Sequence, residues 1–419
     1  MFKQLRFIVL FNLIAVIPGF LYSMIDNRFL DPYLLNNGHM QRRGTSYYIG
    51  FQPFIMTARS SFGDDEQDHH PLFSYLGNFN QTALNQALLT KGKISQSLIP
   101  VEFINALTIP WLMNGHLEIY GAGVNYYQII SKHLSWGFRW AIMHANSRME
   151  MIFDMDSCDK ATFIPDEKDI QQLILSKEQM INILGISSGL WQKTSLSDLD
   201  IFVRLGSVCD YKYRFRRIDT GIVLGLLAPT AAARNINNPA SIPLGGNKQW
   251  GMYVSLVADF GLKEDLSAGF FVQVSKRFPR TFCDRLPALN ESSLFGVVVE
   301  NVRCNPGVTV GFSPYIIFED LRNGLGFRAA YKVVGHVEDS FDSNQLFSQT
   351  TFNEQLVRAE SSWSSEYVML GLFYDFAKNK EIRGATPTLS LMWDIPVQFI
   401  TSHRAFRTHG ISLLLETEF

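Results

Sequence analysis

Apolar and polar residues alternate with a period of two along most of this chain, the mark of strands with one oily and one wet face. The alternation predicts twelve strands, at Tyr47–Met56, Leu117–Ile130, Leu134–His144, Asp200–Ser207, Tyr211–Leu227, Trp250–Phe260, Leu266–Ser275, Gly307–Phe318, Leu325–Val337, Glu366–Phe376, Pro387–Val397 and Gly410–Phe419. Around the fourth, Leu199, Ile201, Val203 and Leu205 share one face while Asp200, Phe202 and Arg204 share the other. In the ninth, Leu325, Phe327, Ala329, Tyr331 and Val333 oppose Gly326, Arg328, Ala330 and Lys332. The fifth slips phase near Arg217, where a β-bulge is expected.

A soluble sandwich also alternates, so the connections decide. Short and long ones alternate without exception, and the short ones Gly261–Asp265 and Asp320–Gly324 carry the Gly, Asn and charge of hairpin turns. Tight turns at one end and long loops at the other describe a membrane barrel.

The chain resembles bacterial outer-membrane β-barrel proteins, porin-like ones in particular. Its last residues, Gly410 to Phe419, look like that family's C-terminal insertion signal: Phe419 is aromatic, and Leu415, Leu413 and Ile411 continue its face in steps of two. Thr417 departs from the pattern, since the family usually places a larger apolar residue there. The resemblance implies an all-β, antiparallel, up-and-down transmembrane barrel of about twelve strands, with long extracellular loops and both ends on the periplasmic side. It also implies lipid around the barrel and the barrel-assembly machinery as a partner.

Composition narrows the alternatives. Of 419 residues, 47% are hydrophobic and 18% charged, too apolar for a disordered chain and too polar for a bundle of membrane helices. With 37 Lys+Arg against 39 Asp+Glu the formal charge is −2, which gives no basic surplus for nucleic acid. Lys3 and Arg6 ahead of the apolar run Phe7–Ile17, then Pro18 and Gly19, read as a signal peptide over residues 1–23. Residues 24–43 then form a periplasmic N-terminal segment and 44–419 the barrel. The destination is the bacterial cell outer membrane.

If the apolar faces meet lipid, the polar faces meet in the lumen. Arg139, Arg204, Arg214, Arg216, Arg328 and Lys332 are expected there beside Asp200, Asp259, Asp394, Glu416 and Glu418. Such an interior suits passive diffusion of small hydrophilic solutes or ions. The rivals are a transporter of hydrophobic compounds with a hatch made by the loops or by Met24–Arg43, and a plugged barrel serving as adhesin or scaffold. A homo-oligomer is compatible with any of these.

The loops carry further candidates. Leu98–Met113, inside the loop Thr57–His116, is apolar and suits a constriction, a rim or a subunit contact. Ser176-Lys177-Glu178-Gln179 has the capping-box pattern and predicts a short helix leading through Met180, Ile181 and Leu184. Asp64–His70 groups acids with two histidines in no recognised spacing and reads as a solvated loop, so no metal ligands and no cofactor are assigned. Cys283 and Cys304 fall in one loop and leave pairing open. Outer-membrane phospholipases are also twelve-stranded barrels, but His133-Leu134-Ser135 belongs to a periplasmic turn, and His144 and Ser147 fall on opposite strand faces. No enzyme is expected.

Overall fold

The computed structural model describes residues 27–29 and 47–419, apart from 64–69, 101–102, 104–107, 156, 158–166, 188, 213–214, 289–290, 292–294, 344–351 and 377–385. The expected signal peptide, Arg214 and the acids Asp64–Asp68 lie outside the described residues.

Twelve long strands make up the barrel: β1 Tyr47–Ala58, β2 Pro110–Ile129, β3 Leu134–Phe153, β4 Leu199–Lys212, β5 Phe215–Ala228, β6 Gly251–Gly261, β7 Leu266–Arg277, β8 Val308–Arg322, β9 Leu325–His336, β10 Trp363–Asp375, β11 Thr386–Val397 and β12 His409–Glu418. Each pairs antiparallel with its neighbours in chain order. β12 then pairs with β1, Ile411 opposite Ile55, and the sheet closes without an edge. Closure is what a bilayer demands, because hydrocarbon offers no partner to an unpaired N–H or C=O. Among the described residues no helix is long and apolar enough to cross a membrane.

Outward positions form an apolar band. Ile49, Phe51 and Ile55 on β1, Ile222, Leu224 and Leu226 on β5, and Ile411, Leu413 and Leu415 on β12 are all exposed. Aromatic rings gather at the short-turn end: Tyr47 stacks on Phe419 at 4.9 Å, Tyr126 touches Trp136 and Phe138, and Phe215 meets Phe260. Such a girdle suits the polar boundary of a bilayer.

Three features differ from the sequence expectation. β4 ends at Lys212, whose register partner is Phe215 at the start of β5, so a turn separates Tyr211 from Phe215, and β5 runs without a bulge. The apparent phase slip at Arg217 is that turn. β2 begins at Pro110, which makes the end of the apolar stretch Leu98–Met113 part of the barrel wall. The loop helix spans Glu167–Ile183 (α2), so Ser176 lies inside it, where its hydroxyl donates to the Leu173 carbonyl instead of capping.

The hairpin of β8 and β9 turns on Asn323 and Gly324, both with positive φ (48° and 89°), the geometry of the Asn-Gly hairpin. At the opposite end lie the long connections 59–109, 154–198, 229–250, 278–307, 337–362 and 398–408. They hold helices α1 (Gln81–Thr90), α2 and α3 (Glu354–Ser361), and a small sheet of Arg280–Leu286, Val298–Asn305 and Ser340–Ser343. In that sheet Cys283 pairs with Asn301 and Cys304 with Arg280, and the two cysteines are free thiols.

Candidate functional site

The barrel interior has two storeys. Towards the short turns it is polar and built of paired charges. Arg139 and Asp200 are register partners on β3 and β4, with Nε 3.5 Å from Oδ2, and the Tyr253 hydroxyl donates to the same carboxylate at 3.1 Å. The Arg139 guanidinium also lies 4.6 Å from the Phe202 ring centroid. Arg204 reaches Asp219 across Gly206 and Gly221, which face each other in register. A Cβ on either glycine would fall within 3 Å of the guanidinium, so the pair of bare backbones is the bed on which Arg204 lies. Asp259 accepts from the Tyr315 hydroxyl, and Arg328 stands over the Tyr315 ring. Lys332 and Asp394 interact across β10, and Glu416 accepts from Tyr48.

These groups are enclosed. Arg204 is 5% exposed, Asp219 1%, Asp259 2% and Asp394 1%, values that fit a filled interior and not the wall of an open channel. Of the expected lumen residues, Arg139, Arg204, Arg328, Lys332, Asp200, Asp259, Asp394 and Glu416 take inward positions. Glu418 shares the parity of Glu416. Arg216 does not: it shares the outward parity of Thr220, Ile222 and Leu224 and pairs with Glu264 at the short-turn rim, 3.0 Å away. The change of strand between Lys212 and Phe215 explains this, since β5 then keeps one unbroken alternation that reverses the face expected for Arg216. Asp219, Tyr48, Tyr253 and Tyr315 complete the network; their inward parity is the signal that points to them.

Towards the long loops the interior is apolar. Inward Phe54, Met56, Ile119 and Met143 join Leu72, Phe73, Leu84 and Leu88 from the first long loop, Leu173 and Met180 from α2, and Phe295 and Phe406 in one buried cluster. Each fully buried side chain of this size contributes roughly 1.5–3 kcal/mol. The loops therefore form a packed cap over the upper barrel. Ile99 and Phe103 of the Leu98–Met113 stretch belong to it. Arg285 ties the cap together, donating to the carbonyls of Ile236, Gly296 and Leu184 and to Asn237 Oδ1.

Residues 27–29 enter this cap as a strap. The Arg28 guanidinium donates to the carbonyls of Glu360 (2.9 Å) and Ser361 (2.7 Å), capping the C-terminal end of α3, where a cation complements the helix dipole. Phe29 packs edge-on against Tyr75 and Phe406, and its carbonyl accepts from Thr408 Oγ1 at 2.8 Å. Arg28 and Phe29 border a cavity of about 160 Å³ shared with Arg277, His336 and Trp363. Arg277 is itself fixed by Asp198 and the Gln249 carbonyl, both at 2.8 Å.

The histidine and serine candidates are dispersed. His133 Nδ1 lies 3.0 Å from the Gly206 carbonyl, and inward Ser135 contacts the Tyr127 hydroxyl. His144 bonds Thr194 on the outer face while Ser147 is buried inside. Ser364 lies 2.7 Å from His403 Nδ1, but it is buried and its hydroxyl donates to the Thr401 carbonyl.

A titratable group sits in the cap. Glu291 is buried, and burial raises its carboxyl to about 7 against the opposing backbone donors Ala288 and Val297 and the Arg285 charge. The folded cap thus holds a proton that the unfolded chain releases, so stability is greatest below the ordinary value of 4.5 and is lost as pH rises to about 7. The loss is on the order of 3 kcal/mol. Amide exchange of segment 286–298, corrected for intrinsic rate, should show weaker protection above neutrality, and Glu291→Gln should flatten that dependence.

No protein-family model and no curated protein matches the chain. Solved structures do. An outer membrane channel from Pseudomonas putida F1 matches at 10% identity over 93% of this chain and 100% of that one, with a TM-score of 0.48. The Pseudomonas putida toluene transporter TodX matches at 9% identity over 95% and 96%, with a TM-score of 0.36. The porin NanC matches at 6% over 72% and 93%, with a TM-score of 0.27. Closure in twelve strands with an apolar outer band decides the class. This is an outer-membrane-type β-barrel. Its interior is filled by its own side chains and covered by the cap.

Proposed function

We propose that the protein is a non-catalytic outer-membrane channel for small solutes, held shut at rest by its N-terminal strap and loop cap. The observation that carries this reading is the strap itself: Arg28 and Phe29 bond to the cap at the long-loop end, whereas Tyr47, which starts β1, bonds Phe419 at the opposite end. A passive, constantly open pore is the weaker version, because the charged interior is almost fully enclosed. A hatch formed by the N-terminal segment thus serves the channel reading as well as the hydrophobic-compound one. Arg139, Arg204, Arg328 and Lys332 with their acids would line the path once it opens and select by charge. The outward band would sit in the outer membrane, with Phe419, Leu415, Leu413 and Ile411 read by the assembly machinery.

Planar-bilayer recording tests this. The intact chain should conduct rarely, and the double variant Arg28→Ala, Phe29→Ala should open in frequent steps, since it removes two charge-assisted bonds and two aromatic contacts from the latch. A double variant as silent as the parent would favour a plugged scaffold.

A further inference from the structure

α2 lies against the upper, inward side of the β2–β3 hairpin, and between them the fold leaves a cavity of about 370 Å³. Its size is that of a small-molecule site. The wall is mixed: Met149, Met151, Ile181, Ile186 and Phe295 give its apolar part, and Glu178, Asn182 and Ser187 its polar part. One ammonium lines it. Lys177 is 8% exposed, and its Nζ stands 4.0 Å from the centroid of the Trp111 ring. That ring is held in place: Trp111 Nε1 donates to Gln81 Oε1 at 2.9 Å, and Gln81 Nε2 donates to Ser176 Oγ at 2.6 Å and to the Leu173 carbonyl. Among the described residues no carboxylate forms an ion pair with Lys177. Burial lowers its pKa, and Glu178, exposed and next in the chain, only partly offsets this through its field.

A cation stripped of most of its water, resting on an aromatic face beside a hollow with apolar and polar walls, still gains from an anion bonded directly to it. We propose that this cavity binds small amphipathic carboxylates, the carboxylate bonding Lys177 Nζ and the apolar body lying along Met149, Ile181 and Phe295. A free alcohol of the same shape would gain the apolar contact alone. A cationic analogue would be repelled. Calling the cavity a capture site at the external mouth rests on the channel reading above; the binding does not.

The test is ligand-observed NMR on the full chain in lipid nanodiscs, with empty nanodiscs subtracted for partition into lipid. Phenylbutyrate should bind at least about tenfold tighter than phenylbutanol, the worth of one charge-assisted hydrogen bond in a partly dry site. Lys177→Met should erase that preference and leave phenylbutanol unchanged, and Lys177→Arg should keep the preference. Ile186→Trp, which fills the hollow, should weaken both probes. Equal affinity for the two probes, or undiminished phenylbutyrate binding by Lys177→Met, overturns the proposal. Conductance is not read in this experiment, so a barrel that never opens leaves the result untouched, and absent binding leaves the strap test untouched.

Discussion

Replacing Arg204 by Met while Asp219 stays should lower the stability of the vesicle-inserted barrel by about 3–5 kcal/mol, because the mutation abandons a charge in an enclosed site. Asp219 is 1% exposed, so water cannot readily replace the lost guanidinium. The double variant Arg204→Met, Asp219→Leu should recover most of the loss, since two apolar side chains of similar bulk can lie over the same glycine bed. Urea titration of the refolded protein in vesicles gives both numbers. Two single losses that merely add in the double variant would mean that the arginine and aspartate act independently, contrary to their direct bond.

An arginine at Val203, one position away on β4 and on the opposite face, should cost roughly 2–4 kcal/mol for a different reason. Val203 sits between Ile201 and Leu205 in the exposed apolar band, so the new charge would meet acyl chains. Arginine at Phe327, outward on β9, should behave alike. At Tyr211, 82% exposed at the short-turn end, the same substitution should cost about 0–1 kcal/mol. Heat-modifiable gel mobility after refolding, with urea midpoints, separates the three. Equal tolerance at Val203 and Tyr211 would contradict the assignment of the outer face.

The neighbouring positions 203 and 204 show why so much of the barrel was legible in the sequence. Wherever one face meets lipid and the other a polar interior, side-chain chemistry must alternate, and all twelve strands carry that stamp. The signal fades where the surroundings change. Above the band, β2 presents Asn114, His116 and Glu118 outward and β3 presents Asn146, Arg148 and Glu150, so these strands run on to Pro110 and Phe153 beyond the expected ends at Leu117 and His144. Between Lys212 and Phe215 the sequence keeps its alternation although the chain changes strand, so the pattern alone puts Arg216 on the wrong face. The pattern at Ser176 mimics a helix start because Ser, Lys, Glu and Gln also suit a helix interior when Gln81 satisfies the hydroxyl. Within the candidate hatch Met24–Arg43, nothing in the pattern singles out Asn27, Arg28 and Phe29. Three residues with long-range partners have no period, and only the folded cap reveals what they hold.

The seam between β1 and β12, sealed at its foot by reciprocal bonds between Tyr47 and Phe419, bears on biogenesis. The earliest-made strand of the cylinder has to wait, its backbone groups unsatisfied along one side, until the latest-made strand has left the ribosome. Such a long-separated pairing is slow to form and prone to stray partnering. The circular order therefore leaves one edge open to stray pairing until the chain is complete.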